Sequence, residues 1–289
     1  MKYAAIKQNN SVLPLYKRCK LLGVSRSGYY DWMERDNAPK VDELGLKVVE
    51  IFHKFKRRYG AIRIRNELKK DGIKASRKRI GKAMKKYNLV AKATKKFVIT
   101  TDSRHNLPVS PNLLMRNFTQ TAPNKVWVAD LTYISTVFGW RYLAVVIDVF
   151  DRAVVGWALA DNMRKELVID AMKMAIKRRK PPKGLIAHSD RGSQYCSYAY
   201  QELLAKYGAK SSMSAKGDPW DNAMVESFFG TFKTELIHGE KWDNELILMQ
   251  EVRGFIEVDY NRMRQHSSLG YISPHEFMQK WIAEVNYAA

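Results

Sequence analysis

A chain of 289 residues, 46% hydrophobic and 11% aromatic, carries enough apolar material for about two packed domains and excludes a disordered polypeptide. No run approaches the roughly 18 uninterrupted apolar residues of a membrane span, since the best, 142–150, is short and contains Asp148. Two distant cysteines, Cys19 and Cys196, exclude a disulfide framework and a Cys/His zinc knuckle. The first residues show no signal-peptide pattern, which predicts a soluble protein of a reducing, cytoplasmic compartment with no membrane partner.

The net charge of +21 is unevenly placed. Residues 1–100 hold 27 Lys and Arg against 8 Asp and Glu, a net of +19, and residues 101–289 contribute the remaining +2. A basic front on a nearly neutral body suits phosphate neutralisation with counterion release, so nucleic acid is the expected partner. The competing explanation is a solvated basic surface that serves solubility alone.

In chain order, 12–22 and 25–34 have helical patterns separated by Gly23, with Ser25 as the N-cap of the second. This is the outline of a helix-turn-helix, with Arg26 near the start of its second helix; the segment 1–38 is expected to form such a unit. Residues 36–40 read as a joint. A basic three-helix module is expected over 39–99: Val48, Val49, Ile51, Phe52 and Phe55 make one apolar face, and helices at 61–70 and 76–87 flank the Asp71-Gly72 turn. The last is capped by Ser76. Arg63, Arg65, Arg77, Arg79 and Lys82 are the candidate DNA contacts here, against the alternative of a plain basic bundle.

Residues 100–123 lose periodicity, contain Pro108, Pro111 and Pro123, and read as a linker. Strand patterns follow at 126–136, 140–149 and 153–160, then a helix at 165–179 stopped by Pro181-Pro182. A short strand at 184–188, a helix near 198–207, a strand around 210–213 and a long helix at about 222–237 complete the order. Three antiparallel strands, helix, strand, helix, strand, helix is the order of a ribonuclease H-like α/β fold, expected over 124–240, with a helical tail at 241–289.

Three acids stand at the edges of those elements: Asp130 inside the first strand, Asp190 just past the fourth, Glu226 early in the late helix. In this fold the first and fourth strands are neighbours, so Asp130 and Asp190 should be adjacent, with Glu226 approaching from the helix beside them. Hard oxygen donors of this kind suit Mg²⁺, and two such ions about 4 Å apart can serve phosphodiester transfer. Any one acid alone is more simply a surface charge or a cap, but Asp130 interrupts an apolar strand. Asp218 and Asp221 compete with Glu226, yet fall in the loop and at the expected N-cap. Val225, Phe228, Phe229, Phe232 and Leu236 should bury one side of the late helix, leaving Glu226, Gly230 and Lys233 on a face open to metal and DNA.

The runs Trp127-Val-Ala-Asp130-Leu-Thr-Tyr, His188-Ser-Asp190-Arg-Gly-Ser-Gln-Tyr195 and Gly217-Asp-Pro-Trp-Asp-Asn-Ala-Met-Val-Glu226-Ser resemble the catalytic core of bacterial insertion-sequence DDE transposases, relatives of retroviral integrases. Between Asp190 and Glu226 lie 35 residues, the spacing of that subgroup. Tyr260-Asn-Arg-Met-Arg-Gln-His266, Leu269-Gly and Ser273-Pro274 are similar to its C-terminal tail, so the likeness spans about 124–280. The resemblance implies a Mg²⁺-dependent transposase, with Mn²⁺ able to substitute, whose metal ligands are Asp130, Asp190 and Glu226. It implies a second-frame product that frameshifting can join to an upstream segment, acting as a homo-oligomer on double-stranded DNA, both element terminal repeats and target, in the bacterial nucleoid. A basic residue at the place of Lys233 is common in such proteins. No zinc-binding His/Cys module of the retroviral kind is present, so end recognition falls to the basic helices. A metal-dependent nuclease without strand joining and a catalytically silent DNA-binding regulator are the other readings.

Overall fold

The computed structural model describes residues 1–8, 13–37, 42–92, 107–215 and 219–288. Its first unit is three short helices, α1 (Lys2–Gln8), α2 (Leu15–Leu21) and α3 (Arg26–Asn37), around buried Ile6, Cys19 and Tyr29. Ser25 Oγ accepts from the Gly28 amide at 3.0 Å, capping α3. The turn before it uses Gly23 at φ +61°, a left-handed conformation that glycine adopts freely. α1 was not expected from the sequence, since it has no cap residue to announce it, and parts of the joint expected at 36–40 lie outside the described residues.

The basic module is α4 (Glu43–Lys54), α5 (Ala61–Lys70) and α6 (Arg77–Lys86). Asp42 caps α4 by accepting from Gly45 N at 2.9 Å, and Ser76 caps α6 by accepting from Arg79 N at 3.3 Å. Val48, Ile51, Phe52, Ile64, Leu68 and Ile80 close its core, which leaves the cations on the outer faces.

The remainder is built on a five-stranded sheet: β1 (Val126–Thr136), β2 (Gly139–Asp148), β3 (Val154–Ala160), then α7 (Lys165–Arg179), β4 (Ile186–Ser189), α8 (Ser193–Cys196), α9 (Tyr198–Lys206) and β5 (Lys210–Met213). The spatial order is β3-β2-β1-β4-β5, antiparallel through β1, β2 and β3 and parallel from β1 to β4 to β5. This is the mixed ribonuclease H-like sheet. Both faces are covered, so the first four residues of β1 are all buried. Trp127 and Ala129 face α7, α8 and α9; Val126 and Val128 face α10 (Ala223–Phe232) and α11 (Glu245–Gly254). α7 lies directly on β3, where a Cβ at Gly156 would come within 2.2 Å of the Ala171 carbonyl.

Two expectations change here. The helix expected over 222–237 is α-helical only to Phe232; Lys233–Ile237 winds as a π-helical turn, which rotates the following side chains off the α-helical phase. The segment expected as a linker is described from Leu107, and there it straps the outer edge of β5. Met213 N donates to Pro111 O at 3.3 Å, Leu113 N to Ser212 Oγ at 2.8 Å, and Leu114 is buried in the core.

After α11 the chain winds through a second π-helical stretch, Phe255–Met263, and ends in α12 (Pro274–Ala288). That stretch joins the module to the sheet. Tyr59 Oη donates to Met263 O at 2.9 Å and Gln265 N donates to Tyr59 Oη at 3.2 Å. Glu235, in the first π-helical turn, takes Arg264 on both oxygens at 2.7 and 2.6 Å and lies 3.8 Å from Arg58 Nε. Arg58 also pairs with Asp259. At the other edge of the sheet, Asn261 accepts from Val154 N and donates to Val154 O, both at 2.9 Å. No described helix is long and apolar enough to cross a membrane.

Candidate active site

The pairing register explains why two of the acids meet. β1 and β4 run parallel with Val128 opposite His188, so two residues further along each chain come Asp130 and Asp190, side by side where β4 ends. α10 packs Val225, Phe228, Phe229 and Phe232 against the β1 side of the sheet, and this brings Glu226, in its first turn, over the same edge.

Asp130 accepts from the Leu131 amide at 2.7 Å, and Asp190 accepts from Gly192 N at 2.9 Å. A Cβ at Gly192 would sit 3.0 Å from the same Asp190 oxygen, so glycine keeps that approach open. Burial, then the neighbouring charge of Asp190 and, more weakly, that of Glu226, hold the Asp130 carboxyl well above the usual carboxylate range. Burial also raises Glu226. Among the described residues, no three His, Cys, Asp or Glu side chains stand close enough to grip a metal as they are. The three acids share one electrostatic neighbourhood without closing on a common point.

Lys233 departs from the expected open helix face. It is only 9% exposed, its Nζ lies over the Tyr133 ring at 4.3 Å from the centroid, and burial lowers its proton affinity while Asp130 raises it. It stands at the junction where α10 ends and the π-helical turn begins. Asp221, expected at the N-cap of the late helix, is buried instead. It accepts from Asn112 Nδ2 at 2.9 Å, Ala215 N at 3.0 Å and Arg116 Nε at 3.1 Å, and although burial opposes ionisation, these donors bring its carboxyl below its ordinary value. Asp218 lies outside the described residues.

Sequence reasoning passed over the support of Asp190. His188 is fully buried between Ser212 Oγ (2.8 Å from Nδ1) and Ser214 Oγ (3.2 Å from Nε2), and burial drops its pKa to about 4, so it is neutral. Asn222, 4% exposed, donates to the Ala129 carbonyl beside Asp130 at 3.4 Å. The runs around Asp190 and Glu226 contained both residues, but no local pattern distinguished them from core and cap.

Of the candidate DNA contacts, Arg26, Arg65, Arg77, Arg79 and Lys82 are exposed. Arg63 is half-buried, with its guanidinium 5.4 Å from the centroid of the Tyr59 ring, turned toward the join with the sheet.

A basic helical module attached to a ribonuclease H-like sheet with adjacent acids defines a polynucleotidyl transferase of the integrase type. Residues 120–219 and 207–274 each match an integrase core domain family, and 40–97 match an HTH-like domain. The chain is 42% identical over 288 residues, 98% of its length and 100% of the relative's, to the transposase InsF for insertion sequence IS3A of Escherichia coli (strain K12). It is 45% identical over 266 residues, 91% of this chain and 98% of that protein, to an uncharacterized 31 kDa protein of insertion element IS600 from Shigella sonnei. A solved structure of the HTLV-2 integrase catalytic core domain in complex with magnesium, trimeric form, is similar over 54% of this chain and 97% of that one, at 18% identity and a TM-score of 0.41. The chain belongs to the family of IS3 insertion-sequence transposases.

Proposed function

We propose that this transposase binds the terminal repeats of its element, hydrolyses a phosphodiester to free a 3′-OH, and joins that hydroxyl to another DNA strand. The observation that carries the reading is the β1–β4 register, which sets Asp130 beside Asp190 at a strand end, with Glu226 near enough to raise Asp130 further. Buried, mutually repelling carboxylates are stabilised by a divalent cation, and their hard oxygens suit Mg²⁺, or Mn²⁺ in its place. Asp130, Asp190 and Glu226 would hold it. When bound, such ions activate the attacking oxygen and stabilise the leaving one.

The chain's own groups do the rest. The Leu131 and Gly192 amides fix the two aspartates, His188 and its serines brace the end of β4, and the Lys233 ammonium balances the acid charge from behind Tyr133. The exposed cations of α3, α5 and α6 take the DNA phosphates, with 1–38 and 39–99 as the binding units, 124–240 as the catalytic core, and 241–289 as the tail that links them. The protein would act as a homo-oligomer on nucleoid DNA in the cytoplasm.

Incubating the full chain with element-end DNA and Mg²⁺, then mapping cleaved and joined products, tests the reading. Joined products exclude a plain nuclease. Glu226→Gln should abolish cleavage with DNA affinity retained, which separates the enzyme from a silent regulator; cleavage by that variant near the wild-type rate refutes the acid assignment.

A further inference from the structure

Tyr195 is the third residue of α8, the short helix that follows Asp190, and it is only 1% exposed. Its position is fixed from three sides. Its amide donates to Gly192 O at 3.0 Å, its carbonyl accepts from Gln201 Nε2 at 2.8 Å, and its ring meets Tyr200 edge-on with centroids 5.3 Å apart. The hydroxyl at the end of this held ring is buried and has no hydrogen-bond partner.

Buried tyrosine hydroxyls ordinarily find a partner, because an unsatisfied one forfeits its hydration for nothing in return. The surroundings say what the missing partner is. Beyond burial, the charges acting on this phenol include those of Asp130 and Asp190, whereas the neighbouring Tyr200 feels burial alone. Among the described residues, the carboxylates whose charge acts on the unpaired O–H are the two aspartates on the adjoining strand ends. The Gly192 amide already occupies one Asp190 oxygen, and Asp130 has a single amide donor, on Oδ1.

We propose that Tyr195 is a positioning residue of the acid site: when the site carries its divalent cation, the phenol O–H donates to the Asp130 carboxylate and fixes its orientation. This rests on the assignment of Asp130 as a ligand. A hydrogen bond from a neighbouring group to a ligating carboxylate orients it and strengthens its hold, and loss of such a partner ordinarily weakens metal binding by about 10- to 100-fold. In the metal-free chain the same hydroxyl contributes nothing to the fold and only raises the cost of closing the core around it.

Removing the hydroxyl should therefore act in opposite directions on two measurements. Mn²⁺ binding to the full chain would be followed by the loss of the free-ion EPR signal, and the thermal midpoint measured without metal. The proteins compared are the wild type, Tyr195→Phe, Tyr200→Phe and Asp130→Asn. The expected result is Mn²⁺ affinity at least about tenfold weaker in Tyr195→Phe, with a metal-free midpoint equal to or above wild type, while Tyr200→Phe binds as the wild type does. Wild-type affinity in Tyr195→Phe overturns the proposal, and so does a steep fall in its metal-free midpoint, which would mean that the hydroxyl is already satisfied. Equal weakening in Tyr200→Phe would make the effect a general loosening of the core and overturn it too. If the wild type binds no Mn²⁺, or Asp130→Asn binds as well as wild type, the acid-site reading itself fails, and Tyr195 with it.

Discussion

Glu235 holds the basic module to the catalytic sheet, and neutralising it should be expensive. Its side chain is 8% exposed and takes both oxygens to Arg264, itself 10% exposed; Arg58, 8% exposed, stands 3.8 Å away. Glu235→Gln preserves shape and one acceptor but strands the Arg264 cation in a poorly hydrated site. Breaking a buried pair from one side costs about 3–5 kcal/mol. The lower end applies, because Arg58 keeps Asp259 and the Gln oxygen still accepts one N–H. At about 2–4 °C per kcal/mol for a chain of this size class, about 3 kcal/mol lowers the thermal midpoint by roughly 6–12 °C. The double variant Glu235→Leu/Arg264→Met removes both charges together and should recover most of the loss. Calorimetry of the three proteins in one buffer decides it: a Gln variant as stable as wild type, or a double variant no better than the single, refutes the account of a buried, charge-balanced joint.

Lys233→Met should keep the packing of the stem but lose the ammonium above Tyr133, lowering stability by about 1–2 kcal/mol and strand transfer about tenfold, equivalent to ~1.4 kcal/mol in the barrier; a Met variant with wild-type stability and wild-type transfer refutes both roles. His266, half-buried and with its pKa pressed down to about 3 by burial and then by Arg264, Arg63 and Arg152, stays neutral while an unfolded chain's histidine takes a proton below about 6.5. Its share of stability is present above about pH 6.5 and is lost as pH falls toward 3, at no more than ~1.4 kcal/mol per pH unit; denaturant titrations should show a shallower acid slope in His266→Phe, and an identical slope refutes the assignment. Changing Arg77, Arg79 and Lys82 together to Ala should reduce the slope of log affinity against log salt by up to about 2.7 for end DNA, and an unaltered slope would move the phosphate contacts elsewhere.

The helices and strands were legible wherever local pattern and local structure share a cause. α7 matches its expected span because its apolar periodicity and the following Pro181 act within a few residues, and β1 matches because its β-branched and aromatic run continues to the Phe138-Gly139 turn. The adjacency of Asp130 and Asp190 could be read because the strand order of this fold sets β1 beside β4; the register that brings them level could not. The surroundings of Lys233 could not, since the ring beneath its ammonium belongs to Tyr133, on a strand far away in sequence that no local pattern brings against this helix. Nor could the strap over β5, which shows only prolines to the eye but hydrogen-bonds to a strand 99 residues further on. The hydroxyl of Tyr195 was part of a recognised run, yet its lack of a partner is a fact of three dimensions.

The two outer strands of the sheet have a common property with consequences for how copies of this protein can gather. At β3 the side-chain amide of Asn261 occupies both backbone groups of Val154, much as a passing strand would, and at β5 the strap claims the amide of Met213. An open sheet edge is a template for another chain's strand, and so a route to runaway polymers. With both margins plugged at these positions, copies of this chain brought close together can meet through helices and loops without zipping their sheets edge to edge, which guards against congealing into fibres.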